Sequence, residues 1–290
     1  TGSNNTAVGK SAFDANTTGT GNTALGRRAM YNNTTANYNT SVGYNSLYYN
    51  TTGDQNVAVG QSALQNNSTG VQNTAVGNHS LESNTTGERN VAVGETALDA
   101  NTTGIRNVAI GRASLSQTQT ASYNVGVGHS TLGDTTTGHS NTGLGNGALN
   151  DTTTGDYNIG IGHNAQSTAG NANGQCTLGD TNIDHLRCND QSIASLSDSR
   201  DKTEIVDSPY GLAFINTVQP RQFKWETRDG NIKDGKTRLG FTAQELLTAC
   251  DGNNNVLDLV LGEDTDKMEA KYTNLIPILT KAIQELSTKN

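Results

Sequence analysis

Apolar and polar positions recur along the first two thirds of the chain at one fixed spacing. Asparagine returns every 17 residues and is followed by a variable residue, a small residue, an aliphatic residue and a glycine, as in Asn-Thr-Ala-Val-Gly at 73–77. A second large apolar residue follows the aliphatic one after five positions in most copies. The first apolar column contains Val8, Leu25, Val42, Val59, Val76, Val93, Ile110, Val127, Leu144, Ile161 and Leu178, and the second contains Phe13, Met30, Leu47, Leu64, Leu81, Leu98, Leu115, Leu132 and Leu149.

A constant period of this size predicts a solenoid in which each repeat forms one coil. The short segments of Thr, Ala and Val suit a β-strand whose small residues allow close approach of the backbones. Each coil has only two large apolar side chains, so stacked coils leave one apolar flank uncovered. Three copies packed side by side would cover it. The predicted fold is therefore mainly β, a parallel β-roll or solenoid in a homotrimer, about 50 Å long at ~4.8 Å per coil.

Composition is consistent with a regular, polar structure. Hydrophobic residues make up 32% of the chain and charged residues 16%, below the roughly 45–50% and ~25% of typical domains. The net charge of −8 and the lack of a basic patch argue against nucleic acid or an anionic membrane as a partner. No apolar run approaches the ~18 residues of a membrane span, so we predict no membrane insertion. Cys176, Cys188 and Cys250 lack zinc-site spacing, and we expect free thiols, no metal and no cofactor.

The repeats resemble the head repeats of trimeric bacterial autotransporter adhesins. The copy Asn-Val-Ala-Ile-Gly at 107–111 is close to the hallmark strand of that family. The resemblance covers residues 4–179 and implies parallel β-rolls assembled as homotrimers.

Two pairs of carboxylates in the repeats lie one period apart and are expected to stack on neighbouring coils. They are Glu82 with Asp99 and Asp134 with Asp151. A spacing of ~4.8 Å is near the roughly 5 Å between the carboxylates of retaining glycosidases. Both pairs lead into turns, however, so we interpret them as solvated surface groups. The histidines His79, His129, His139 and His163 are also expected to be exposed.

Five of the nine tyrosines lie within nineteen positions. Aromatic clusters on a polar rod bind glycans or proteins, which makes this stretch a candidate receptor patch. The alternative is that bulky residues fill two variant coils. The five are Tyr31, Tyr38, Tyr44, Tyr48 and Tyr49.

Residues 197–290 have the mixed composition of a small globular domain. The apolar pattern predicts helices at 212–218 and 243–250, and strands near 223–225, 239–241, 256–261 and 268–272. The final stretch predicts a helix whose apolar residues step by 4, 3, 4 and 3, the spacing of a coiled-coil seam. So short a seam must dock, either on its own domain or on the same helix of two other copies. The seam residues are Tyr272, Ile276, Leu279, Ile283 and Leu286.

A serine and a lysine stand five residues apart where the repeats give way to this domain. A serine attacks a carbonyl group only when a base accepts its proton, and a lysine amine can serve as that base. The spacing separates the two side chains by ~140° on a helix and puts them on opposite faces of a strand. Ser197 and Lys202 therefore require a tight loop, or a lysine from a neighbouring chain.

The sequence Leu-Ser-Asp-Ser-Arg-Asp-Lys-Thr-Glu-Ile at 196–205 resembles the start of the C-terminal intramolecular chaperone domain of phage endosialidases and other tail fibres. Further matching motifs follow in order, including Gly-Phe-Thr-Ala-Gln-Glu-Leu at 240–246 and the stretch 272–285. The resemblance implies a domain that helps a fibre trimerise and then releases itself in a single turnover. It implies Ser197 as the nucleophile, Lys202 as the general base and the Leu196–Ser197 bond as the cleavage site.

The sequence thus predicts three parts: a solenoid shaft or head at 1–179, a β-rich junction at 180–196 and an α+β chaperone domain at 197–290. The predicted function is a bacteriophage tail-fibre segment that attaches to the host, folds in the host cytoplasm and is carried on the virion. Its expected partners are further copies of itself, a host cell-surface glycan or protein, and an upstream fibre or baseplate protein. The alternatives are a glycan depolymerase tailspike with the same chaperone, or a bacterial trimeric adhesin head.

Overall fold

The computed structural model describes residues 2–183, 197, 199–224, 226, 235–261 and 268–289, with only the backbone of Asp201. The chain divides into two compact units, Thr1–Ile183 and Asp184–Asn290. The junction predicted at 180–196 lies mostly outside the described residues, so its predicted strands and the predicted domain boundaries stay predictions.

The first unit is a solenoid in which each coil contributes one short strand. Within residues 2–183, eleven strands form a single parallel sheet in chain order, and each residue pairs with the one 17 positions later, as Thr74 does with Val91. The predicted mainly β class and the parallel solenoid of 17-residue coils are therefore confirmed. The strands are β1 Thr6–Val8, β2 Thr23–Leu25, β3 Thr40–Val42, β4 Val57–Val59, β5 Thr74–Val76, β6 Val91–Val93, β7 Val108–Ile110, β8 Val125–Val127, β9 Thr142–Leu144, β10 Ile159–Ile161 and β11 Cys176–Leu178.

The two apolar columns differ in their exposure to solvent. The second column is fully buried from Met30 to Leu149, together with the alanine in the middle of strands such as β5 and β6. The first column, from Val8 to Leu178, is exposed or half-buried along its whole length. Alternate residues of a strand point to opposite faces, so the first residue of each strand shares this outer face. These first and third strand residues form what we call the strand face, an uncovered apolar flank of the kind that the sequence predicts.

The buried column adopts a backbone conformation that selects its residue types. From Phe13 to Leu149 its nine members have φ between 48° and 56°. Side chains branched at Cβ are genuine outliers in this left-handed region. The column contains Phe, Met and Leu but neither Val nor Ile, because these residues fill the interior without a branch beside the backbone.

A column of buried asparagines holds successive coils together. It contains the repeat asparagines that precede strands β2 to β10, from Asn22 to Asn158. Asn39 donates its backbone N–H to Asn22 Oδ1 at 2.9 Å, and its Nδ2 donates to the carbonyl oxygen of Gly53 at 3.0 Å. Asn39 Oδ1 in turn accepts the backbone N–H of Asn56 at 2.8 Å, so both polar ends of the side chain are used, as burial requires.

A second asparagine column lies in the segment that the sequence assigns to turns. Asn84 Nδ2 donates to Asn67 Oδ1 at 2.7 Å and to the carbonyl oxygen of Gly87 at 3.0 Å. Threonine replaces asparagine from Thr118 onward. At this change Asn101 Oδ1 is buried without a hydrogen-bond partner among the described residues.

In its described residues, the second unit combines helices with two antiparallel strand pairs, β12 with β13 and β14 with β15. Its core includes Leu246, Leu259, Val260 and Ile278. The prediction of one strand over 256–261 is wrong at its start, because Asn254 to Leu257 are helical and the strand begins at Val260. The elements are α1 Leu212–Ile215, β12 Arg221–Lys224, β13 Thr237–Gly240, α2 Ala243–Ala249, α3 Asn254–Leu257, β14 Val260–Leu261, β15 Glu269–Ala270 and α4 Leu275–Lys289, with 3-10 turns at Ser199–Asp201 and Tyr272–Asn274.

Helix α4 is apolar on two sides. Leu275, Ile278 and Ala282 are buried, and α4 packs against α1. The predicted seam residues Ile276, Leu279, Ile283 and Leu286 are exposed. Tyr272 precedes the helix in the 3-10 turn, and its hydroxyl donates to the carbonyl oxygen of Phe241 at 2.9 Å. The stripe of exposed apolar residues on α4 therefore begins at Ile276.

Candidate functional site

The structure brings together the serine and the lysine that the sequence singles out. Lys202 Nζ donates a hydrogen bond to Ser197 Oγ over 2.7 Å. The 3-10 turn Ser199–Asp201 reverses the chain between them, and Lys202 N–H donates to the carbonyl oxygen of Ser199 at 3.3 Å. The pair is thus formed within one chain by a tight loop.

This pair has the geometry of a nucleophile and its base. The 2.7 Å separation is within the range for direct proton transfer between a hydroxyl group and a positioned base. Both side chains are exposed, so water reaches the hydroxyl group. Leu196, on the other side of the predicted cleavage bond, lies outside the described residues.

Two sets of hydrogen bonds between elements stabilise the unit that carries this pair. Glu245 accepts two hydrogen bonds from Arg221 Nε, at 2.9 and 3.0 Å, and one from Thr242 Oγ1 at 2.8 Å. The Arg221 guanidinium holds the pKa of the Glu245 carboxyl group below its ordinary value. Glu285 on α4 accepts the backbone N–H of Leu212 at 2.8 Å, which satisfies a free donor at the start of α1. The first set of bonds joins β12 to α2, and the second joins α1 to α4.

The five candidate receptor tyrosines do not form one patch. Tyr31 and Tyr48 stack with their ring centroids 5.3 Å apart and their planes at 6°, and Tyr49 meets Tyr48 edge to face at 4.6 Å. Tyr44 instead lies under the guanidinium of Arg27, 5.4 Å away. Tyr38 is 66% exposed beside Gly21, where a Cβ would meet its ring. Tyr31 and Tyr48 occupy the same position in successive repeats, whereas Tyr38 and Tyr44 occupy two other positions. Distance along the chain alone does not reveal this difference.

The stacked carboxylate pairs differ from each other. Asp134 and Asp151 are exposed, as the sequence predicts. Asp99 is half-buried, and burial, followed by the nearby Glu82 charge, raises the pKa of its carboxyl group. Glu82 is half-buried too and bonds His79 Nδ1 at 2.7 Å. The prediction that these side chains are exposed to solvent is therefore wrong for Glu82, Asp99 and His79. The His79 side chain lies against Glu82 within one coil, and Asp99 occupies the same place as Glu82 in the next coil.

The remaining candidate residues are the other histidines and the cysteines. His129, His139 and His163 are exposed, as predicted. Cys176 is free and exposed, and Cys250 is free and buried, which raises the pKa of its thiol. Cys188 lies outside the described residues. In the part of the chain that the structure describes, there is no cluster of three or more His, Cys, Asp or Glu able to hold a metal ion, and no helix that could cross a bilayer.

Comparison with known proteins finds a family match within the second unit. Residues 197–254, about a fifth of the chain, match the model of a family described as chaperone of endosialidase. No match was found among curated proteins or among solved structures. The likeness of the repeats to adhesin heads stays a prediction. The chain thus contains, behind a solenoid of 17-residue repeats, a segment at 197–254 that matches the endosialidase-chaperone family.

Proposed function

We propose that the chain is a segment of a trimeric tail fibre whose C-terminal domain acts as an intramolecular chaperone and then releases itself by cleavage before Ser197. The observation that carries the cleavage step is the 2.7 Å hydrogen bond between Lys202 Nζ and Ser197 Oγ. The family match from residue 197 and the solenoid before it support the chaperone and fibre roles.

The cleavage is an intramolecular acyl transfer. The unprotonated amine of Lys202 accepts the hydroxyl proton of Ser197, and Oγ attacks the carbonyl carbon of Leu196 through a five-membered ring. The bond from that carbon to the Ser197 nitrogen breaks as the nitrogen takes up the proton, which leaves an ester between Leu196 and Ser197. Water then hydrolyses the ester to a Leu196 carboxylate and the free hydroxyl of Ser197. One water molecule is consumed, and no cofactor is needed.

Two exposed apolar surfaces support assembly into a trimer. The strand face runs along all the coils of the solenoid, with Val8, Leu25, Leu144 and Ile161 among its exposed members. The exposed stripe of α4, beginning at Ile276, has the spacing of a coiled-coil seam. Contiguous apolar surfaces of this length mark association sites in soluble proteins.

The proposed setting is a virion. The fibre folds in the host cytoplasm, joins an upstream fibre or baseplate protein and attaches to a glycan or protein on the host surface. Release of the chaperone makes the assembled rod difficult to reverse, because refolding would need the lost domain. Such kinetic stability suits a particle exposed outside cells.

Intact-mass measurement of the purified chain tests the cleavage. The wild-type protein should yield two fragments that separate between residues 196 and 197, and Ser197→Ala and Lys202→Gln should remain at full length. Ser199→Ala, which removes a neighbouring hydroxyl group, should be cleaved normally. A wild-type chain of full mass in a preparation of trimers would contradict the cleavage.

A further inference from the structure

The tyrosine cluster, which we define as Tyr31, Tyr48 and Tyr49, is an interaction surface outside the strand face and outside the Ser197–Lys202 pair. The rings of two consecutive coils stack in parallel at 5.3 Å, and the third stands at 85° to them. Tyr49 is 49% exposed, and the other two side chains are half-buried. Three aromatic rings joined through Tyr48 on a polar solenoid form a compact amphipathic patch.

The cluster is rigid and has unused hydrogen-bonding capacity. Asn32 Nδ2 donates to the carbonyl oxygen of Tyr48 at 3.1 Å and fixes the second ring's backbone to the preceding coil. Among the described residues, the phenol groups of the three tyrosines make no hydrogen bond within the chain. Tyrosine offers a large contact area at a small cost in conformational entropy, and preorganisation reduces the cost of binding further.

The size of the cluster favours a small ligand. A stable protein interface covers roughly 800 Å² on each partner. A tyrosine buries roughly 150–250 Å² when wholly covered, and two of these three are already half-buried. The cluster therefore covers one or two sugar rings more readily than a protein surface.

The charges beside the cluster favour a neutral ligand. Asp14 stands one coil before Tyr31 in the same column, and a carboxylate at this place disfavours an anionic ligand. The other flanking residues in these columns are the amides Asn32, Gln65 and Asn66. Amides and phenols exchange hydrogen bonds with hydroxyl groups, and the rings pack against the C–H faces of a pyranose.

We propose that the tyrosine cluster binds a neutral glycan, with the sugar C–H groups on the aromatic rings and its hydroxyl groups hydrogen-bonded to the phenols. The inference rests on the attachment role proposed above and names its ligand class. It assigns that role to Tyr31, Tyr48 and Tyr49, and excludes Tyr38 and Tyr44, which lie apart from them.

Binding of the full chain to immobilised oligosaccharides tests the proposal. The probes are neutral oligomers of glucose, galactose, mannose and N-acetylglucosamine, together with sialylated and sulfated counterparts. The wild-type protein should bind at least one neutral oligomer; Tyr49→Ala should weaken that binding by about tenfold or more, and Tyr49→Phe by less. Tyr157→Ala is the matched control, because Tyr157 is 69% exposed and lies outside the cluster; it should change binding by less than about twofold.

Several results would contradict glycan binding by the tyrosine cluster. Absence of binding to every neutral oligomer, binding only to the sialylated or sulfated members, or an equal loss in Tyr157→Ala would overturn the proposal. So would attachment to host cells that survives enzymatic removal of their glycans, since it indicates a protein receptor. Trimer mass and cleavage, measured on the same preparations, report on the proposed function separately, so its failure is distinguishable from the loss of glycan binding.

Discussion

Nine large apolar side chains fill the interior of the solenoid from backbone positions with positive φ, between 48° at Leu47 and 56° at Phe13. A non-glycine residue in this region carries strain of order 1–3 kcal/mol when its surroundings hold it there. The burial of each side chain against its neighbours one coil away offsets that strain. Shape at Cβ therefore matters as much as hydrophobicity in this column.

Leu98 offers a direct test of this constraint. Its φ is 54° and it is wholly buried. Leu98→Val adds a branch at Cβ and removes volume, and should lower the free energy of unfolding by about 2–3 kcal/mol. Leu98→Met, which keeps the unbranched Cβ, should cost less than about 1.5 kcal/mol. Urea unfolding of both variants measures the difference, and equal losses would show that the backbone conformation does not select the residue.

Asp99 makes the stability of the solenoid depend on pH. Burial raises the pKa of its carboxyl group above the ordinary 3.8, so the folded chain holds this proton more tightly than the unfolded chain. Stability therefore falls as pH rises through the window just above about 3.8 and stays lower at neutral pH. Asp99→Asn should raise the melting temperature at about pH 7 and change it little at about pH 3.

The exposed Asp151 provides the control for this experiment. Asp151→Asn removes a carboxylate with a similar place in the repeat but without the burial. Its melting temperature should follow that of the wild type at both pH values. A gain as large as that of Asp99→Asn would mean that net charge, and not burial, is responsible.

At the scale of elements, periodicity predicts more than local chemistry does. The spacing of Val76 and Leu81 predicts strand positions and a second apolar column because a solenoid repeats one environment every coil. It does not predict which column faces solvent, since that depends on the direction of each side chain in a coil of unknown shape. The sequence likewise does not predict that the side-chain amide of Asn84 is buried, because surface turns and buried asparagine columns have the same composition.

The candidate sites are also predicted only in part from the sequence. The five-residue spacing of Ser197 and Lys202 predicts that either a tight loop or a lysine from a neighbouring chain brings the two groups together. The structure has the first arrangement, with a 3-10 turn at Ser199–Asp201. Distance along the chain is a poor guide to contact among the tyrosines, because Tyr31 and Tyr48, 17 residues apart, stack on each other. The relevant distance in a solenoid is position within the repeat.

Helix α4 offers a direct test of assembly into a trimer. Its exposed stripe should be covered by the same helix of other copies, so Ile283→Lys should convert trimers to monomers with little loss of helical circular dichroism. Gln284→Lys adds the same charge at the neighbouring exposed position and should leave trimers intact. Sedimentation velocity measures both. Trimers that persist in Ile283→Lys would remove α4 from the interface.

The chain combines a repetitive solenoid with a non-repetitive domain, and this combination gives a physical reason for the proposed chaperone role. Every coil of the solenoid presents nearly the same strand face, so two chains that slip by one coil lose few contacts. Local energies then discriminate poorly between the correct register and a shifted one, a situation that favours kinetic traps. Residues 197–290 occur once in each chain, so in the proposed trimer their association would fix all three copies at one level before the strand faces meet.

Removal of residues 197–290 before folding should therefore be far more damaging than their removal afterwards. A chain that ends at residue 196 should form insoluble material or monomers, because its strand faces meet in mixed registers. Ser197→Ala, which retains the domain but cannot cleave it, should form soluble trimers in which the rod melts at the wild-type temperature. Unfolded and refolded, however, the uncleaved trimers should reassemble and the cleaved ones should not. Soluble trimers from the shortened chain, measured by light scattering, would show that the repeats find their register unaided.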